Sequence, residues 1–111
     1  MAKRPLTVLP ATRDALLTLG AQVAAGRRER GWTAAELAQR LGVSAQVVAR
    51  IEKGAPGTAV GTVLEAALLC GVPLYGLEPG RMGEARELAQ ARLALLPQRV
   101  RPAPLEVPDD F

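Results

Sequence analysis

Histidine is absent from this chain, and cysteine occurs once, as Cys70. Histidine is the side chain most often used as a general base and a frequent metal ligand. No other nucleophile-and-base pair or cluster of metal-ligating residues stands out. Catalysis, a metal centre and a cofactor are therefore not expected. A lone cysteine excludes an intrachain disulfide and makes the cytosol the default compartment. Cys70 falls on the apolar side of its segment, where a small core residue is the expected role. Aromatic residues make up 3% of the chain, one each of Trp, Tyr and Phe. That scarcity argues against a β-sandwich, which draws on aromatic and β-branched side chains. No apolar run reaches the ~18 residues of a membrane span. The basic N-terminus lacks the apolar stretch that follows in a signal peptide. There is no internal repeat.

What is present is aliphatic and small. Apolar residues are 49% of the 111, most of them Ala, Leu and Val. Together with helical spacing this predicts an all-α bundle, one small domain with extensions. Its core is modest, so dimerisation is expected to add stability. The formal charge is +3, unevenly spread. Residues 1–32 carry Lys3, Arg4, Arg13, Arg27, Arg28 and Arg30 against Asp14 and Glu29, a net +4. Residues 33–80 carry a net −1 and residues 81–111 balance. The central segment is not a basic block, so any attraction to phosphate must come from individually placed cations and helix N-termini.

Residues 33–54, TAAELAQRLGVSAQVVARIEKG, hold the most specific pattern. Thr33 followed by Glu36 is a capping box, which starts a helix at Ala34. Ala35, Leu37, Ala38 and Leu41 form its expected inner side, and Gly42 ends it. Ser44 caps a second helix whose apolar stripe is Val47, Val48 and Ile51, closed by Gly54. A small residue at Ala38, a turn glycine at Gly42 and branched plugs at Val48 and Ile51 are the layout of a helix-turn-helix, whose second helix enters the DNA major groove. An αα-hairpin in an ordinary helical bundle shares part of that layout.

Around it the chain reads as follows. Residues 1–11, with Pro5 and Pro10, form an extended arm, either a frayed end or a basic strap carrying Lys3 and Arg4. Thr12 caps a helix over 13–30 with Asp14 in its first turn. Leu16, Leu19, Val23, Ala24 and Arg27 share one face. Gly20 and Gly26 either allow close packing or mark a break near residue 20. Arg27, Arg28 and Arg30 crowd the last turn, where they complement the helix dipole or reach phosphate. Trp32 is expected as a staple into the core. Thr58 or Gly57 caps a helix over 59–70 that buries Val63, Leu64, Ala67 and Leu68 and stops at Gly71. Pro73 starts a short fifth helix over 73–77 with Leu74 and Leu77 inward. The helix-turn-helix domain thus spans 12–78. Residues 79–96 hold a break and one more helix, with Leu88, Ala91 and Leu95 recurring, for intrachain packing or for a twin. Residues 97–111 contain four prolines and form a flexible, largely disordered tail, with Val100, Leu105 and Val107 able to make an edge strand.

The outward positions of the second motif helix are the candidate DNA contacts. Gln46 can pair with adenine, Arg50 with guanine or a phosphate, and Ala45 can offer its methyl to thymine; Ala49 shares their face. Ser44, Lys53, Thr58 and Arg28 are the candidate phosphate contacts. A rival role for Arg50 is a salt bridge to a nearby glutamate.

The stretch GRRERGWTAAELAQRLGVSAQVVARIEKG resembles the Xre/Cro-type helix-turn-helix family, with its "G-W/L-T", "E-L-A", "L-G-V-S" and "R-I-E-x-G" runs. The likeness covers residues 19–77. It implies a five-helix, lambda-repressor-like DNA-binding bundle, here with an appended C-terminal helix and tail. A narrower resemblance, in EKGAPGTAVGTVLEAALLCGVP, LPQRVR and the terminal DDF, is to HipB-type antitoxins that pair with HipA-like kinase toxins and repress their own operon. It implies a cytoplasmic, nucleoid-associated homodimer on a palindromic operator of double-stranded DNA, with a kinase toxin as partner. It also makes the acidic-aromatic tip of Asp109, Asp110 and Phe111 a partner contact or proteolytic handle. The alternatives are a stand-alone Xre-type regulator and a helical protein-interaction adaptor. Two positions depart from the Xre pattern. Ala34 stands where many members have a phosphate-clamping Gln, and Ala45 where many have Arg or Gln. Fewer polar readers mean weaker base-specific recognition, reliance on DNA shape, or a motif that has lost DNA binding.

Overall fold

A computed structural model describes residues 7–102 of the chain. The expectations placed on Lys3, Arg4, Pro5, Leu105, Val107 and the tip from Asp109 lie outside the described residues. Those described form five α-helices and no β-strand: α1 (Pro10–Glu29), α2 (Ala34–Leu41), α3 (Ala45–Glu52), α4 (Val60–Leu69) and α5 (Met82–Ala94). They divide into two compact units, one ending at Pro79 and one beginning at Gly80. The all-α class expected from composition and spacing is observed.

In the first unit, α1 starts at Pro10 rather than at Arg13 behind a Thr12 cap. Proline in a first turn forfeits no hydrogen bond and already has a helical φ. Leu9 is the N-cap residue, without a side-chain cap; Thr12 lies inside the helix and Asp14 beyond its first turn. The helix continues unbroken through Gly20 and Gly26, which are buried. Their purpose is close approach. A Cβ at Gly20 would sit 2.6 Å from the Ile51 carbonyl oxygen and 2.7 Å from that of Glu52, and one at Gly26 would collide with the Cys70 carbonyl. Glycine at these two points lets α1 lie directly on the ends of α3 and α4.

The capping box of α2 is complete. The Glu36 N–H donates to Thr33 Oγ1 at 3.0 Å, and the Thr33 N–H donates to Glu36 Oε1 at 3.1 Å. Leu37 and Ala38 are buried as expected, whereas Ala35 is exposed. At 100° per residue Ala35 falls off the face centred between Leu37 and Ala38. Gly42 takes a left-handed φ of 72°, and the Val43 N–H returns to the Ala38 carbonyl at 3.0 Å. That closes α2 and sets the angle at which α3 leaves. The Ser44 Oγ accepts from the Val47 N–H at 3.3 Å, and Val48 and Ile51 are buried.

Helix α4 begins at Val60 with Ala59 as N-cap residue and no side-chain cap. The expected cap, Thr58, instead donates its hydroxyl to the Ala55 carbonyl at 3.1 Å and tightens the α3–α4 turn. Ala66, Ala67 and Cys70 are the buried face of this segment; Val63, Leu64 and Leu68 are half-buried. The expected helix over 73–77 does not form. Tyr75 and Gly76 have φ values of 54° and 69°, and the Leu77 N–H donates to the Leu74 carbonyl at 2.8 Å. Two consecutive left-handed residues make a tight hairpin-type turn and preclude a helix. Leu74 is buried and Leu77 half-buried, so both still point inward.

A 3₁₀ turn (Pro79–Arg81) leads into α5, the one helix expected within residues 79–96. Its expected packing stripe is uncovered: Leu88, Ala91 and Leu95 are all exposed. No described helix is long and apolar enough to cross a membrane.

Candidate nucleic-acid interface

Helix α3 is held from behind. Gly20 meets its last two carbonyls, and Gly54, just beyond it, would place a Cβ 3.0 Å from the Leu16 backbone. The third restraint is ionic. Arg27 donates from Nε to Glu52 Oε2 at 2.7 Å and from Nη2 to Oε1 at 3.0 Å, and its Nη1 donates to the Trp32 carbonyl at 2.9 Å. Both side chains are largely out of water, 12% and 15% exposed. One guanidinium thereby ties α1, the α1–α2 turn and the end of α3 together. The hydrogen-bonded Glu52 pushes the Arg27 pKa further up despite burial, so the guanidinium keeps its charge.

This corrects the reading of the arginine cluster at the end of α1. Arg27 is committed to Glu52, and Arg30 donates to the Cys70 carbonyl at 2.9 Å and to that of Gly26 at 3.3 Å. Arg28 alone of the three is without an ion pair or hydrogen bond among the described residues, and it is exposed. Trp32 is also not the core staple expected. It is half-buried, with the Arg40 guanidinium 4.2 Å and the Arg30 guanidinium 5.8 Å from its ring centre. The negative face of the indole ring attracts those guanidinium cations. Sequence reasoning missed the Arg27–Glu52 pair; the signal available was an arginine on the inner face of α1 with no apolar residue to replace it.

With α3 so fixed, its other side is open. Residues advance by about 100° each, so Ala45, Ala49, Lys53, Gln46 and Arg50 share an arc of about 140°, opposite Val47, Val48 and Ile51. Ala45, Gln46, Arg50 and Lys53 are exposed and Ala49 is half-buried. Arg50 makes no salt bridge among the described residues. Its guanidinium lies 3.5 Å from where a Gly57 Cβ would be, so it leans over the α3–α4 turn. There a hollow of about 190 Å³ is lined by Val43, Val47, Gly57 and Ala59 together with Arg50, Thr58 and Thr62.

The candidate phosphate residues differ in what they have left to give. Ser44 Oγ accepts internally and keeps its proton for an outside acceptor. Thr58 has already donated its proton to Ala55, so a phosphate there would meet its backbone N–H rather than its hydroxyl. Lys53, at the C-cap of α3, is exposed. The structure thus groups Ala45, Gln46, Ala49, Arg50, Ser44, Lys53 and Thr58 on or beside α3. Arg28 stands apart, on the outward side of α1.

The one buried thiol, Cys70, sits behind α1 as a small core residue, as expected. Burial is the main reason its pKa is raised, with the neighbouring Arg30 charge opposing.

Comparison with known proteins agrees with this geometry. No curated protein and no solved structure matches the chain. A family model described as a helix-turn-helix domain matches residues 18–78, more than half of the sequence and the whole stretch from mid-α1 to the turn after α4. The chain belongs to that helix-turn-helix domain family.

Proposed function

We propose that the chain is a sequence-specific DNA-binding transcriptional repressor that works as a homodimer. In this reading α3 enters the major groove with Gln46 and Arg50 at base edges and Ala45 and Ala49 against thymine methyls. Ser44, Lys53 and the Thr58 amide hold the flanking phosphates, with Arg28 a further cation on the approach. The observation that carries it is the contrast between the two sides of α3. One side is locked by Gly20, Gly54 and the Arg27–Glu52 pair, and the other presents donors that the fold itself does not use. A helical bundle built only for packing has no need of that contrast.

Selection of bound duplexes from a random pool, followed by a gel shift on the selected site, tests this. Gln46→Ala and Arg50→Ala each cost about 1–3 kcal/mol of discrimination at one base pair. Lys53→Ala weakens all sequences alike and lowers the slope of log affinity against log salt by about one. Absence of any selected sequence refutes DNA reading and leaves the protein-interaction adaptor.

The operon role is a finer part of the same proposal: an antitoxin that restrains a HipA-like kinase toxin and represses the genes of both. It is supported by the resemblance of residues 52–73 and of the LPQRVR run to HipB-type antitoxins. Affinity purification from native cells tests it. Co-elution of a kinase-like protein with the DNA supports the pairing, and DNA without a kinase leaves a stand-alone regulator.

A further inference from the structure

We infer that the hollow between α3 and the start of α4 seats a pyrimidine 5-methyl group, and that Arg50 reads the guanine that follows it on the same strand. This rests on the DNA reading proposed above and names the class of site: a duplex with thymine or 5-methylcytosine immediately before a guanine. The hollow measures about 190 Å³, and Val43, Val47 and Ala59 form its aliphatic wall. Val47, expected in the buried stripe with Val48 and Ile51, is only half-buried, and it contributes surface to this hollow. At Gly57 the lining has no side chain. Its φ lies outside the left-handed region, and a Cβ there would meet only the Arg50 guanidinium, at an ordinary 3.5 Å. Neither backbone nor packing demands glycine at that point; its effect is to keep the hollow open.

The lining says what fits. Of its two threonines, Thr58 has given its proton to the Ala55 carbonyl, so the wall is mainly aliphatic and suits a small apolar group. Arg50 at its side is exposed and has no ion pair or hydrogen bond among the described residues, so its donors call for an acceptor. A methyl group beside an acceptor edge meets both demands. In the major groove the C5 methyl is the apolar group that bases present, and guanine N7 and O6 are the acceptor pair that suits a guanidinium. Successive bases of a strand lie about 3.4 Å apart. In the right-handed stack a pyrimidine methyl lies beside the N7 and O6 edge of the guanine after it. Arg50 on that guanine therefore sets the preceding methyl against Val43 and Val47. Burying one methyl contributes about fourfold in affinity.

The test starts from the site that the full chain selects from random duplexes. The guanine read by Arg50 is the one whose discrimination Arg50→Ala loses. Duplexes are then made with thymine, uracil, cytosine or 5-methylcytosine at the preceding position; each pair differs by the methyl alone. Thymine is expected to bind about fourfold tighter than uracil, and 5-methylcytosine tighter than cytosine by the same factor. Which of the two methylated bases binds tighter tells which one the site takes. Gly57→Val, which projects into the hollow, should bring both ratios to about one. Val47→Thr, which exchanges a lining methyl for a hydroxyl, should lower them as well and guards against a Gly57→Val chain that folds poorly. Gly61→Ala, with nothing within 4 Å, should keep both ratios. Equal binding of thymine and uracil there, in a chain whose Arg50→Ala variant loses guanine discrimination, overturns this inference and leaves the DNA reading standing. So does a selected guanine preceded by a purine. A methyl effect that survives both Gly57→Val and Val47→Thr places the methyl elsewhere and also overturns it. Loss of no guanine preference in Arg50→Ala removes the role of Arg50 and the inference with it, and absence of any selected sequence removes the DNA reading as well.

Discussion

Removing one partner of the Arg27–Glu52 pair is the sharpest perturbation this fold offers. Exposed ion pairs contribute about 0–1 kcal/mol, while cutting a buried pair on one side costs about 3–5 kcal/mol. Here the two side chains are 12% and 15% exposed and the contact is bidentate at 2.7 and 3.0 Å, which places the pair nearer the buried limit. Arg27→Met also deprives the Trp32 carbonyl of its donor and leaves the Glu52 carboxylate largely out of water without a cation. The expected loss is about 2–3 kcal/mol, a fall in melting temperature of roughly 10–20 °C for a domain of this size. Glu52→Gln, which retains a hydrogen-bonding oxygen, costs about 1–2 kcal/mol. The combination Arg27→Met with Glu52→Leu removes the stranded charge. It should recover at least about 1.5 kcal/mol relative to the sum of the parts. The assay is urea and thermal unfolding of the parent, the single variants and the double variant at one fixed protein concentration, since self-association shifts both. Single variants within about 0.5 kcal/mol of the parent, or a double variant that is simply additive, would refute the claim that this pair anchors α3.

Three further outcomes follow from other parts of the fold. Gly20→Ala gains about 1 kcal/mol in helix propensity, but its methyl meets two backbone carbonyls at 2.6 and 2.7 Å that cannot rotate away. The overpacking penalty of about 1–3 kcal/mol therefore wins, whereas Gly61→Ala in α4, with nothing within 4 Å, should not destabilise; equal effects of the two on melting temperature would contradict this. Tyr75→Asn should raise stability by roughly 0.5 kcal/mol in urea unfolding, since Asn-Gly suits two left-handed residues and the exposed Tyr75 ring gives up little packing; a loss would mean that the ring is held. The Cys70 thiol pKa is raised by burial, so above the ordinary thiol value the unfolded chain has lost a proton that the folded chain retains. Stability therefore falls as pH rises from about 8.5 towards the folded value. In melts at pH 7 and pH 10, Cys70→Ala should show a smaller drop than the parent, and an equal drop would assign the alkaline loss to other groups.

Local devices were legible from residue order because their causes lie within a few positions. The Thr33–Glu36 box, the Gly42 and Gly54 stops, the Ser44 cap and the Val48–Ile51 stripe are each complete within a turn or two of chain, and each is found as read. Where two local options competed, spacing alone chose badly. Pro10 opened α1 ahead of Thr12, Thr58 served the preceding turn rather than the following helix, and Tyr75–Gly76 turned where a fifth short helix was expected.

Local pattern, then, determined the helical class, the helix-turn-helix and which side chains of α3 face away from its apolar stripe, because helical periodicity converts position directly into direction. Tertiary structure decided what the arginines and glycines of α1 are for. Whether Arg27 meets phosphate or Glu52, and whether Gly20 weakens a helix or admits a neighbouring backbone, depends on what lies across the fold, far away along the sequence. Such encounters leave no periodic trace along the chain, because the energy that selects them is a contact between elements rather than a preference within one.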